Sequence, residues 1–184
     1  MELKSTDAGR IAEGFTNEKQ DCTVRALALC FELSYREAHA ICASVGRKPR
    51  RGMYQPQIER AFKIASERTG ATVEAIPVPQ PERFLRTNTV YGTQRRITRG
   101  GIQVGDFVRR LPKQGTFYLT STRHAFTVKD GVVLDNVNPH NPRILQERAR
   151  MEAAHKITPK ASSLSQADIN ELWAKLQEVK KLYE

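Results

Sequence analysis

Residues 116–136 read TFYLTSTRHAFTVKDGVVLDN, and the class of the fold turns on this stretch. It divides into three short runs rich in β-branched and aromatic residues, TFYLTS (116–121), HAFTVKDG (124–131) and VVLDN (132–136). Such runs suit the pleated, half-buried surface of a sheet. Asp130-Gly131 lies between two of them, and a tight two-residue hairpin needs residues at ease with positive φ at that point. The stretch therefore predicts consecutive antiparallel strands. Upstream, ATVEAIPV (71–78) reads as a further strand closed off by Pro77, Pro79 and Pro81, and VGDFVRRLP (104–112) as a short helix stopped by Pro112.

Toward the N-terminus the period changes from two to between three and four. Residues 1–20 are polar and read as an irregular lead-in. Asp21 is placed to cap a helix with Val24, Leu27, Ala28 and Phe31 on its buried face. Ser34 and Glu37 have capping-box spacing, and the helix they open carries Ala38, Ile41, Cys42 and Val45 inward and stops at Gly46. A third helix starts near Pro56, buries Ile58, Ala61, Phe62 and Ala65, and ends at Gly70. Helices followed by a largely antiparallel sheet define an α+β protein.

Beyond residue 142, RILQERARMEAAHK (143–156) is polar and helix-prone, and ITPKASSLS (157–165) reads as a linker. A last helix begins at Ser165, with Asp168 in its first turn and Ile169, Leu172, Trp173, Leu176, Val179 and Tyr183 along one side. That apolar stripe needs cover, from its own domain or from a partner chain. The expected organisation is a domain over 1–143 and a helical extension with linker over 144–184.

The 184 residues suffice for one core. At 39% hydrophobic and 27% charged, with no apolar run near the roughly 20 residues that span a bilayer, the composition is that of a globular protein outside the membrane. MELKSTDAGRIAEG has none of the marks of a secretory leader, so a cytoplasmic location is expected, the host cytoplasm if the chain is phage-encoded. The cysteines, at 22, 30 and 42, lack the spacing of a disulfide framework or a zinc site, and no cofactor is implied. A net charge of +10 admits nucleic acid as a partner. The basic clusters GRKPRRG (46–52), QRRITRG (94–100) and RRLPK (109–113) come without an RNA-binding signature, and read first as solvated loops.

Chemistry narrows to Cys22. A thiolate is stabilised by the unpaired N–H groups at a helix start, and Cys22 directly follows the expected cap, whereas Cys30 and Cys42 fall in apolar helix bodies. A cysteine nucleophile also needs a base and a group that orients the base. His39 lies in a helix, His140 in a proline-flanked turn and His155 in the polar helical segment. His124 opens a strand, and with the turn centred on Asp130-Gly131 it falls opposite residue 137, which brings Asp135 within one or two strand steps. The residues alone leave two readings open: a nucleophile with its base and orienter, or a small buried residue and an unrelated strand-end pair.

NEKQDCTVRALALCFELSYREAH (17–39) followed by GTFYLTSTRHAFTVKDGVVLDNVNP (115–139) resembles the papain-like cysteine peptidase fold, in particular small phage-encoded members related to bacterial double-glycine peptidases. The resemblance covers about residues 15–139. It implies Cys22 as nucleophile, His124 as general base and acid, and Asp135 as the orienting carboxylate. It also implies an amide side chain ahead of the cysteine to bind the oxyanion. The usual position, six residues earlier, holds Thr16, so Asn17 and Gln20 are the available amides, with Asn17 preferred on position. The residue after the cysteine is Thr23.

The leading expectation is a cysteine hydrolase, peptidase or isopeptidase, acting on a protein or peptide substrate. A papain-like scaffold that only binds a partner or virion protein through its last helix is the alternative, and a basic protein associated with nucleic acid the second. Basic loops around such a cleft would favour acidic substrates.

Overall fold

The computed structural model describes residues 2–87, 94–136 and 149–160. Its order is β1 (Glu2–Ser5), α1 (Cys22–Phe31), α2 (Tyr35–Ser44), α3 (Gln55–Thr69), β2 (Thr72–Ile76), β3 (Pro81–Thr87), β4 (Gln94–Gly100), α4 (Val104–Arg110), β5 (Thr116–Ser121), β6 (His124–Lys129), β7 (Val132–Asp135) and β8 (Met151–Thr158). The fold is α+β. One sheet has six strands in the order β1-β7-β6-β5-β8-β2; β3 and β4 form a separate antiparallel ribbon. Among the described residues no helix is long and apolar enough to cross a membrane.

The helices form where the apolar periodicity places them. In α1 every residue from Thr23 to Ala28 is buried, as are Cys30 and Phe31, so this helix is enclosed. Ser34 and Glu37 close the expected capping box, with Ser34 Oγ accepting from Glu37 N and Glu37 Oε2 accepting from Ser34 N at 3.0 Å. Pro56 sits in the first turn of α3. Gly70 ends that helix at φ 74°, a left-handed conformation that glycine adopts without a Cβ clash.

The sheet is covered on both faces, which explains why every residue of β5 is buried. Phe117 and Leu119 join Phe126, Val128 and Val133 in a core closed by Val104, Phe107 and Val108 of α4. Tyr118 and Ala125 pack instead with α1, α2 and α3. Alternation along one strand thus feeds two cores. The β6–β7 turn has φ 51° at Asp130 and 80° at Gly131, as the hairpin reading requires.

Several sequence expectations are corrected. The lead-in is not wholly irregular: β1 pairs in parallel with β7, Leu3 opposite Val133. QRRITRG is β4 rather than a loop, paired with a strand that begins at Pro81, a position where the missing N–H does least harm. Most consequentially, MEAAHKIT, expected as the end of a polar helix (through Lys156) and the start of a linker, is β8, hydrogen-bonded between β5 and β2. Its buried residues Met151, Ala154 and Ile157 stand three apart, which reads as a helical face. A register shift, where Thr120 pairs Ala153 but Ser121 pairs Met151, changes the face between Met151 and Ala154. The bulge therefore puts both residues in the α4 core, while Ile157 reaches the other one. His155 is accordingly a strand residue. A boundary at residue 143 would separate β8 from the two strands it joins. His140 and the expected last helix from Ser165 to Tyr183 lie outside the described residues.

Ending the chain at residue 143 should abolish the cooperative thermal transition, followed by circular dichroism. A truncated chain that melts with an unchanged midpoint would show that the sheet does not need β8.

Candidate active site

α1 begins at Cys22 and β6 at His124, so two element ends bring together residues far apart in the chain. The pairing of Thr127 with Leu134 sets Asp135 opposite Phe126, diagonal to His124 on the same face of the hairpin. His124 Nε2 donates to Asp135 Oδ2 at 2.6 Å. With Nε2 committed, Nδ1 is the ring nitrogen left free, and Cys22 and His124 line the same cleft. The ring also stacks on Phe126, with centroids 6.1 Å apart and planes 15° apart.

The electrostatics favour an ion pair. Burial pushes the Cys22 thiol up, but the hydrogen bond and charge of His124, the Ala125 backbone N–H and the Arg25 guanidinium outweigh it and leave the thiol below its ordinary range. Burial likewise pushes His124 down, yet Asp135 and Cys22 raise it to about 9. Asp135, despite its burial, is held below the usual carboxylate range by His124, Arg25 and the Asn136 N–H. Cys30 and Cys42 contrast with Cys22, since burial drives both thiols up to about 12. Cys30 lies 3.3 Å from Thr127 Oγ1, which donates to Ala26 O, and serves packing.

Arg25 was not singled out by sequence reasoning. Its Nη1 donates to Asp135 Oδ1 at 3.2 Å and its Nε to Asp21 Oδ1 at 3.2 Å, while Tyr35 Oη donates to Asp21 Oδ2 at 2.9 Å. Asp21 stands at the N-cap but makes no side-chain cap, contrary to expectation. A buried carboxylate gains more from a guanidinium than from a neutral amide. The signal for this network was present: Arg25 is the one charged residue in CTVRALALCF and lies four residues from Asp21.

Comparison with family models, curated proteins and solved structures found no match. The case for chemistry therefore rests on the site itself. Cys22 and His124 open on a cleft of about 990 Å³. Gln20 lines it at φ 52°, a left-handed backbone that costs a non-glycine residue energy and is common at functional sites. Asn17 is exposed and is not among the lining residues, so position favours Gln20 as the side-chain oxyanion donor. The Cys22 backbone N–H stands at the first helical position, where a helix offers it no acceptor of its own. No cluster of His, Cys, Asp and Glu suited to a metal occurs among the described residues.

Iodoacetamide at pH 7, followed by peptide mass mapping, should label Cys22 and spare Cys30 and Cys42 in the folded protein. His124→Ala should move Cys22 labelling to more alkaline pH, toward the ordinary thiol value of 9.0. Arg25→Met, which leaves Asp21 and Asp135 without their shared cation, should destabilise the fold by about 3–5 kcal/mol in urea titration.

Proposed function

We propose that the protein is a papain-like cysteine hydrolase that cleaves an amide or isopeptide bond in a protein substrate, with Cys22 as nucleophile, His124 as acid and base, and Asp135 as orienter. The observation that carries this reading is the placing of Cys22 and His124 together at the wall of an open cleft, with His124 bound to the buried Asp135 behind it by a 2.6 Å hydrogen bond. A lowered thiol beside a raised imidazole corresponds to a thiolate–imidazolium pair, the attacking form of a cysteine nucleophile.

The steps follow from the placement of the protons. The Cys22 thiolate attacks the carbonyl carbon, forming a C–S bond and pushing the carbonyl electrons onto oxygen, where the Cys22 N–H and Gln20 donate. The tetrahedral adduct collapses, the C–N bond breaks, and His124 gives its proton to the leaving amine. Neutral His124 then takes a proton from water, and the hydroxide attacks the thioester. Collapse of that adduct releases the carboxylic acid and the Cys22 thiolate, with His124 again cationic. Throughout, Asp135 holds Nε2–H, so Nδ1 is the nitrogen that exchanges the proton.

A fluorogenic peptide library should be hydrolysed by the native protein, and Cys22→Ala should bring the rate to background. Gln20→Ala should lower kcat by about 10²–10³, and Asp135→Asn by up to about 10⁴. The pH profile should be a bell. Its alkaline limb falls through about 9, where His124 loses the proton it must donate, and its acid limb lies below 9.0, where the thiolate is lost. Undiminished hydrolysis by Cys22→Ala would refute the mechanism.

A further inference from the structure

Besides Arg25, which is paired with Asp21 and Asp135, the cleft is lined by three Lys and Arg side chains from two separate segments. Lys48 and Arg51 come from the α2–α3 loop, and Arg123 from the two-residue β5–β6 turn immediately before His124. Among the described residues none of the three makes an ion pair. Two neighbouring cations do not share that state: Arg47 is buried against Glu18, and Arg25 lies between Asp21 and Asp135.

The loop is held so that its cations face outward. Glu18 is buried, and its Oε2 accepts from Arg47 Nη2 at 2.8 Å and from Arg50 N at 3.1 Å, while Oε1 meets His39 Nε2 at 3.2 Å. Burial alone would raise this carboxyl, but Arg47, His39 and the Arg50 N–H leave it below its ordinary range. Arg51 N donates to Lys48 O at 3.2 Å, closing the turn between the two pinned positions. Lys48 and Arg51 stay exposed as a result. Arg123 has φ 66°, a left-handed backbone fixed by the tight turn. The same cleft carries an apolar strip, Met53 and Tyr54, with Tyr54 81% exposed.

We propose that Lys48, Arg51 and Arg123 make this a cleft for an acidic peptide segment, with carboxylate side chains flanking the bond that reaches Cys22 and apolar side chains resting on Met53 and Tyr54. The proposal rests on the hydrolase reading and names its substrate class. Two acidic residues also line the cleft, Asp21, which is paired with Arg25, and Glu152, and an anion among the cations suits a peptide of mixed character better than an unbroken run of phosphates. A cleft walled by one sign of charge concentrates ligands of the other.

The test reads occupancy rather than turnover. Cys22 is alkylated with iodoacetamide, a neutral reagent, in the presence of a decapeptide of alternating Glu and Phe, its Lys-Phe counterpart, or a single-stranded DNA decamer. The Glu-Phe peptide should slow alkylation and the Lys-Phe peptide should not. Lys48→Glu, Arg51→Glu and Arg123→Glu together should weaken that protection by about tenfold or more, at a loss of about 1.5- to 5-fold per exposed pair. In the native protein, raising the salt to about 1 M should weaken it in the same direction, with no variant needed. Equal protection by the two peptides, protection by neither, or stronger protection by the DNA overturns the proposal. Protection by the acidic peptide without hydrolysis of any peptide would sink the hydrolase reading alone, and hydrolysis of neutral or basic peptides in preference would sink the acidic specificity alone.

Discussion

The Arg25 guanidinium lies between the carboxylates of Asp21 and Asp135, one at the mouth of α1 and the other at the end of β7. A charge in that position is expensive to desolvate, and it is retained only because each side of the fork meets an anion. Through it the helix that carries Cys22 and the hairpin that carries His124 share one set of hydrogen bonds. Tyr35 Oη extends the set into α2 through Asp21. The relative height of Cys22 and His124 therefore depends on a polar contact as well as on packing, and polar contacts are directional where hydrophobic ones are not.

Packing supplies the rest. α1 is buried nearly all round because the sheet lies on one side of it and α2 and α3 on the other, while α4 covers the far face of the sheet. This arrangement leaves the N-terminal end of α1 and the start of β6 at the edge of both cores. Apolar neighbours there weaken solvation of the ion pair without excluding a substrate from the cleft. Asp135 and Arg25 are both buried, whereas His124 and Cys22 are each half-buried, a gradient from structural to reactive along one chain of contacts.

Much of this was readable before any coordinates. The helix starts at Ser34 and near Pro56, the turn at Asp130-Gly131 and the diagonal of His124 to Asp135 all follow from local rules with narrow geometric solutions. What was misread has a common cause in long-range pairing. MEAAHKIT has the composition of a helix and, through its bulge, the spacing of one; only its two neighbours in the sheet make it a strand. ELKS is too short to declare itself and is a strand because β7 offers it an edge. Asp21 reads as a cap because an aspartate just ahead of an apolar helix commonly is one, and burial of the helix turns it instead toward Arg25, four residues on. The loop cations were legible as charges, but not the buried Glu18 that orients them.

The central position of β5 has a temporal consequence. β5 pairs on one side with β6 and on the other with β8, which ends at Thr158, so the sheet is incomplete until synthesis has passed that residue. His124 and Asp135 emerge from a ribosome about a hundred residues after Cys22, with the completing strand later still. During that interval Cys22 has neither partner, and its thiol carries the reactivity of an ordinary cysteine. Synthesis order therefore delays the meeting of Cys22 and His124 until the hairpin that carries the histidine has been made.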